Sequence, residues 1–347
     1  MKDQIKIFIT FHIAPELLSK IKSVDPKIEI LYDPSLLGEP RYTCDQHGGP
    51  IKRSPEQDQK LQSMMAETEI LFGYLPTGYG GRDIKKWFPK LRWNQSPSAG
   101  IGWGAKESGL IETDITFTTA GGVHNIPLAE FCIMSMLMFT KNYFLMAEGK
   151  EKKHWARNCS TDLSGKTLAI VGLGKAGKEI VKLAKCLGMH VIGTKRTVDG
   201  VDPANLNVDA IYSNKNLKPM LTDADFLVLI CPETEETRGL IGKEEITYMK
   251  PGAVLINISK GAVVDEDALV DALLSGHLGG AALDVFRTEP LPLESPLWNM
   301  PRVIISPHSA STDDKQNERL TDVFVDNLHR YLASKPLNSV LDKKLLY

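Results

Sequence analysis

The chain is short of the features that mark several protein classes. It has five cysteines in 347 residues (Cys44, Cys132, Cys159, Cys186 and Cys231), widely scattered and odd in number. That usage argues against a disulfide framework and for reduced thiols in a cytoplasmic protein. Cys44 and His47 have the spacing of half a metal site, but no second half follows, so no metal is expected. Neither sign of charge is in excess: 41 Lys and Arg face 43 Asp and Glu, a formal net charge of -2. No basic surplus points to nucleic acid, and no block of like charge points to an interaction tail. The longest apolar stretch, residues 131–139, is too short to span a bilayer, so no membrane partner is expected. The first residues lack a signal-peptide apolar core, and there is neither a solenoid-period repeat nor a low-complexity run. What remains, 42% hydrophobic and 24% charged, is an ordinary globular composition, with length for about two domains.

The most informative segment is 167–177, where an apolar run, Thr-Leu-Ala-Ile-Val, feeds into Gly172-x-Gly174-x-x-Gly177 and then a helical pattern. Strand, glycine loop and helix in that order are what a dinucleotide site requires. The first glycine permits the tight turn, the second lets the backbone approach a pyrophosphate, and the third lets the helix pack close to the strand. Free N–H groups at the helix N-terminus then hold the phosphates.

Strand-like and helix-like runs alternate along the rest of the chain. In the first part the pattern predicts strands at 5–11, 28–32, 70–74, 91–95 and 115–119, with helices at 14–24, 57–67 and 82–88. Residues 34–60 break the rhythm with Pro34, Pro40, Gly48, Gly49, Pro50 and Pro55, as a loop or insertion does. A long helix is predicted from about Pro127, with Ala129, Phe131, Cys132, Ser135, Met136 and Phe139 as its buried stripe. Strands follow at 168–171, 190–193, 210–212, 226–230, 254–258, 280–285 and 303–305, and an amphipathic helix at 313–332. Strands alternating with helices imply an α/β fold with parallel sheets and right-handed crossovers.

Beyond the glycine loop, a series of ordered stretches resembles the D-2-hydroxyacid dehydrogenase family. They are Ser98-Ala99-Gly100, Gly122-Val123-His124, Pro127 to Glu130, Leu163 to Thr167 and Val171 to Gly177. Further along come Cys231 to Thr234, Thr237 to Ile241, Met249 to Ala253, Ile256-Asn257, Gly261 to Asp265, Gly280 to Val285, Glu289-Pro290, Pro296 to Trp298 and Ser306-Pro307-His308. The resemblance covers nearly the whole chain. It implies two similar doubly wound domains: a Rossmann nucleotide domain at 123–311 inserted into a flavodoxin-like substrate domain, 1–122 with 312–347. The active site would lie in the cleft, and the protein would form a homodimer through the nucleotide domain.

Reduction of a 2-keto acid needs a hydride donor over the carbonyl carbon, a proton for the forming alkoxide, and a cation for the carboxylate and carbonyl. His308 is the candidate acid/base, placed just after the strand 303–305, at the carboxyl end where α/β sheets carry their sites. The resemblance makes Glu289 its carboxylate partner and gives Asp284 a contact with the nicotinamide carboxamide. It makes the backbone of Ser98, Ala99 and Gly100 the holder of the substrate carboxylate, with Trp103 and His124 as possible pocket walls. Cofactor contacts are implied at Gly172, Gly174, Lys175, Ala176, Gly177, Cys231, Pro232, Thr237 and Ile258. Lys260 departs from the family pattern, Asn-x-x-Arg-Gly, which here reads Asn257-Ile258-Ser259-Lys260-Gly261. Lysine keeps the charge and loses the planar two-pronged fork. Three readings follow: weaker positioning of the same substrate, a shifted substrate class, or loss of catalysis with retained nucleotide binding.

The strand after the glycine loop bears on cofactor choice. NAD sites usually carry an acid at its end, about 20 residues past the glycines. Here that end reads Thr194-Lys195-Arg196-Thr197, with no acid. Lys195 and Arg196 suit a 2′-phosphate, so NADP(H) is expected to be preferred, with NAD(H) possible. The expected protein is an NADP(H)-dependent reductase of a small 2-keto acid, glyoxylate, hydroxypyruvate or larger. The alternative is a nucleotide-sensing binding protein of the same fold.

Overall fold

The computed structural model describes residues 4–347. The chain forms two compact units: one runs to His124 and resumes at Thr312–Tyr347, the other is Asn125–Ser311. No helix of the described residues is long and apolar enough to cross a membrane.

The first unit is built on a parallel sheet of β1 (Ile5–Ile9), β2 (Ile28–Leu31), β3 (Ile70–Phe72), β4 (Trp93–Gln95) and β5 (Thr116–Thr118). Its strand order is β2-β1-β3-β4-β5, the flavodoxin-like order. Both faces are covered, as a parallel sheet requires. Ile7, Ile9, Phe72 and Trp93 meet Leu320, Phe324 and Leu328 of the helix Gln316–Leu332. Phe8 and Leu71 meet Leu61, Met65 and Phe88 on the other side. The Phe72 and Phe324 rings stack with centroids 4.1 Å apart, and Trp93 stacks on Phe324 at 5.2 Å. Each fully buried side chain of this size contributes about 1.5–3 kcal/mol, so this stripe fastens the late helix to the early sheet.

The second unit carries seven parallel strands: β6 (Thr167–Val171), β7 (His190–Lys195), β8 (Ala210–Ser213), β9 (Phe226–Leu229), β10 (Val254–Asn257), β11 (Gly280–Leu283) and β12 (Val303–Ile305). Their order is β12-β11-β10-β9-β6-β7-β8. The chain therefore moves outward from β6 in one direction, returns to β9 and moves outward in the other. The switch point lies between β6 and β9, where open α/β sheets bind ligands at the strands' carboxyl ends. Alternate residues of the strands face two cores: Ile170, Val228 and Ile256 pack with Ala129, Cys132 and Met136, while Ala169, Leu227 and Leu255 pack with Met220, Ile246 and Leu269.

Several elements differ in length from what the sequence pattern predicts, each for a visible reason. The strand expected to reach Val285 ends at Leu283, because Asp284 turns its carboxylate onto the 306–310 loop. The last helix begins at Gln316 rather than 313, because Asp313 accepts a hydrogen bond from the Lys315 amide and closes a turn there. The helix expected from residue 57 starts earlier, at Pro55. Ser54 caps it, its hydroxyl accepting from the Gln57 amide while the Gln57 side chain accepts from the Ser54 amide.

Candidate active site

The glycine loop sits at the switch point. Gly172 has φ 113°, and a Cβ there would lie 2.9 Å from the backbone of Ile230 and Cys231. Only glycine satisfies both the turn and the close approach to the end of β9. A Cβ on Gly177 would lie 2.5 Å from the Gly172 carbonyl oxygen, so the helix Lys175–Cys186 packs tightly against the turn that precedes it. A Cβ on Gly174 would meet nothing within 4 Å. The loop is thus packed at its first and third glycines and open at the second, beside the first turn of a twelve-residue helix. This arrangement fits a dinucleotide pyrophosphate.

Around it lie the other residues expected to hold the cofactor. Cys231 and Ile258 are buried, and burial pushes the Cys231 thiol up to about 11. Thr237 closes its own turn, its hydroxyl donating to the Pro232 carbonyl at 2.7 Å and accepting from the Thr234 amide at 2.8 Å. Lys195 is half-buried, and Arg196 and Thr197 are exposed. The Arg196 guanidinium comes within 3.9 Å of Glu236. Sequence reasoning passed over Thr194, which is fully buried with its hydroxyl oxygen unpartnered just before this basic pair.

The two residues expected to form an acid/base pair meet beyond the carboxyl ends of β11 and β12. His308 Nδ1 is 2.7 Å from Glu289 Oε2. With the carboxylate accepting at Nδ1–H, the other ring nitrogen, Nε2, is the one left for a substrate. Glu289 Oε1 accepts from the Phe286 amide at 3.0 Å, so both oxygens of the carboxylate are engaged. Burial would raise the Glu289 carboxyl. The hydrogen bonds from His308 and the Phe286 amide, and the charges of His308 and Lys260, outweigh that and hold it below the usual carboxylate range.

Lys260 is thereby placed near the pair. Gly261 fixes it there: a Cβ on Gly261 would lie 1.9 Å from the Phe286 carbonyl oxygen, so this backbone abuts the segment leading to Glu289. The Asn257 side chain donates to the Lys260 carbonyl at 3.1 Å. The Lys260 ammonium makes no hydrogen bond or ion pair among the described residues.

Asp284 underlies the His308 loop. Its Oδ1 accepts from the Ser306 hydroxyl (2.6 Å), the Ser309 amide (2.7 Å) and the Ala310 amide (2.8 Å), and its own carbonyl accepts from the His308 amide (2.9 Å). His308 sits at φ 55°, an uncommon value that these bonds hold in place. Ser306 and Ser309 belong to this support and were given no role from sequence, Ser306 standing only within a matching stretch. Their signal, two serines flanking Pro307-His308, acquires meaning only once Asp284 is seen beneath them.

In the first unit, Ser98, Ala99 and Gly100 follow β4. The Ser98 amide already donates to the Ser96 hydroxyl oxygen at 3.1 Å, whereas those of the exposed Ala99 and Gly100 make no hydrogen bond among the described residues. Of the three amides expected to hold a carboxylate, those of Ala99 and Gly100 are therefore the ones left available. His124 Nε2 lies 3.1 Å from the Pro97 carbonyl oxygen and braces the same loop, while Trp103 stacks against the Lys106 ammonium. No group of three or more metal-ligating side chains occurs among the described residues.

Comparison with known proteins agrees with this geometry. Residues 133–310 match the family model for the NAD binding domain of D-isomer specific 2-hydroxyacid dehydrogenases. The (S)-sulfolactate dehydrogenase of Chromohalobacter salexigens is 35% identical over 64% of this chain and 72% of its own length. Glyoxylate/hydroxypyruvate reductase B of Pectobacterium carotovorum is 32% identical over 78% of this chain and 85% of its own. A crystal structure of a D-isomer specific 2-hydroxyacid dehydrogenase family protein from Aeromonas salmonicida superposes with a TM-score of 0.79 at 27% identity, covering 98% of this chain and 100% of that one. Several D-3-phosphoglycerate dehydrogenases also match and are longer, the chain spanning 42% of their length. The chain belongs to the D-isomer specific 2-hydroxyacid dehydrogenase family. It is an oxidoreductase with two parallel-sheet units, one of them a nicotinamide dinucleotide binding domain.

The Glu289 site predicts a pH effect. The folded carboxyl lies below its ordinary value of 4.5, so its contribution to stability is complete above that value and is lost as pH falls through the depressed one. The side chain is 36% exposed, and solvent screening keeps the contribution small. Glu289→Gln should flatten the dependence of unfolding free energy on pH between about 5 and 3, followed by urea titration. An unchanged slope would show that Glu289 is not held by His308.

Proposed function

We propose that the protein reduces a small 2-keto acid to the D-2-hydroxy acid with NADP(H), and that the His308–Glu289 pair is its proton donor. The observation that carries this reading is the 2.7 Å contact between His308 Nδ1 and Glu289, at the carboxyl ends of strands in a dinucleotide-binding sheet. Bound at the glycine loop, a reduced nicotinamide would supply hydride to the carbonyl carbon. His308 gives the proton from Nε2 to the carbonyl oxygen as negative charge builds there, so the C=O bond becomes CH–OH. Glu289 keeps the ring oriented and stabilises its cationic form. In the oxidative direction the same nitrogen accepts the hydroxyl proton.

Lys260 binds the substrate's carboxylate and carbonyl oxygens in this reading, and the amides of Ala99 and Gly100 bind the carboxylate. A single ammonium donates well to one oxygen at a time, so it orients the substrate less firmly than a guanidinium. Asp284 has its Oδ1 committed to the His308 loop, which leaves Oδ2 for the nicotinamide carboxamide. Glyoxylate, hydroxypyruvate and larger 2-keto acids are the candidate substrates.

NADP(H) is favoured over NAD(H) because Lys195 and Arg196 stand at the end of β7, where an NAD site carries an acid. A homodimer is supported by an apolar face on the second unit. Trp155 is 98% exposed, and Leu145 and Met146, which line one hollow with it, are each about half exposed. A face of this kind calls for a partner, and a second copy is the simplest one. Five cysteines without a disulfide suit a reducing compartment, which supports a cytoplasmic location.

Two measurements test this reading. NADPH oxidation should be seen with at least one member of a panel of 2-keto acids, and Lys260→Ala should lower kcat/KM by roughly tenfold to a hundredfold, the worth of one charge-assisted hydrogen bond. Unchanged kcat/KM would remove Lys260 from the site. Tight NADPH binding with no turnover of any 2-keto acid would favour the nucleotide-sensing alternative. Separately, KM for NADH should exceed KM for NADPH by at least roughly tenfold. A lower KM for NADH would show that the basic pair points elsewhere.

A further inference from the structure

The insertion at residues 34–53 is an ordered wall of a cavity in the first unit. Its two limbs meet at glycine: a Cβ on Gly38 would lie 1.9 Å from the Gly49 carbonyl oxygen, and one on Gly48 would lie 2.6 Å from the Gly38 carbonyl oxygen. The Gly49 amide donates to the Glu39 carbonyl at 2.8 Å. Asp45, whose side chain is fully buried, ties the far limb together. It accepts from the Arg41 guanidinium and from the amides of Arg41, His47 and Gly48. The loop closes over a cavity of about 600 Å³ lined by Thr10, His12, Gly38, His47, Arg53 and Tyr74, among others.

The charge of this cavity is unbalanced. Asp45 is the one acid on its wall, and Arg41 neutralises it. Arg53 is half-buried on the same wall. Its Nε donates to the Leu36 carbonyl at 2.9 Å, which fixes the guanidinium plane, and its terminal nitrogens have no hydrogen bond or ion pair among the described residues. A guanidinium oriented by one bond and left with its other donors unpaired is arranged for an anion. His12 Nε2 donates to the Gly38 carbonyl at 2.9 Å, and the His47 ring stacks on Tyr74 with centroids 4.4 Å apart.

Tyr74 joins this cavity to the loop that precedes the Ala99 and Gly100 amides. Its ring lines the cavity, and its phenol faces the Ser98 side chain. We propose that the cavity receives the far end of the substrate, that this end carries a second anionic group, and that Arg53 binds it. The inference rests on the 2-keto acid reading and names its substrate class: a 2-keto acid with a distal carboxylate, or another oxyanion of similar size, rather than one with an apolar tail.

The test compares 2-oxoglutarate with 2-oxopentanoate, which share a five-carbon chain and differ at its far end. The wild-type protein should favour 2-oxoglutarate in kcat/KM. Arg53→Gln keeps a donor for the Leu36 carbonyl and removes the charge. It should lower the ratio of the two kcat/KM values by roughly tenfold to a hundredfold, and Arg53→Lys should recover part of it. Equal ratios in wild type and Arg53→Gln would overturn the proposal. A second arm needs no turnover: glutarate is titrated calorimetrically into the wild-type protein and both variants. Weaker glutarate binding by roughly tenfold or more in Arg53→Gln supports the pocket even if no 2-keto acid is reduced. Equal binding in wild type and Arg53→Gln, or none in either, overturns it.

Discussion

The hydrogen bond between His308 and Glu289 is the interaction on which the candidate chemistry depends. Neither residue lies in a helix or strand, so the pair must be held by the loops that carry it. Asp284 holds one side through the amides of Ser309 and Ala310 and the hydroxyl of Ser306. The Phe286 amide holds the other by donating to Glu289. Both anchors leave the end of a single strand, β11, within three residues of its last member. The proposed role of general acid demands placement to within a fraction of an ångström, and two short anchors from one strand end can supply it without a long rigid element.

Close backbone approach is the second constraint. Gly172 lets the dinucleotide loop pass beside the end of β9, and Gly261 lets the Lys260 backbone lie against Phe286. In both places a side chain would push apart two segments that must converge. The replacement of the expected arginine by Lys260 changes the donor and leaves this scaffold intact. The backbone that would position an arginine positions the lysine, and the difference lies in how many oxygens the head group can hold in one plane.

The legibility of these features in the amino-acid sequence followed their range. The glycine loop was readable from residues alone, because strand, turn and helix are contiguous and each glycine has a local steric reason. The seven strands of the second unit were also readable, since buried parallel strands are short apolar runs between helices. His308 and Glu289 needed the family resemblance, because nothing in their spacing says that they meet. The supporting roles of Ser306, Ser309 and Asp284, and the occupied amide of Ser98, were not legible, since each depends on a loop folding back on a distant or irregular segment. Residues 34–60 read as an interruption of pattern. Their proline and glycine content marks a loop, but its closure by contact of Gly38 with Gly49 is a property of three dimensions.

The most direct measurement of the central claim is single-turnover oxidation of bound NADPH by a reactive 2-keto acid in the protein and in His308→Gln. The account predicts that the variant still binds NADPH, seen by cofactor fluorescence, and that its oxidation rate falls by roughly a hundredfold to ten-thousandfold, the contribution of a positioned proton donor. Oxidation at the same rate in the variant would contradict it.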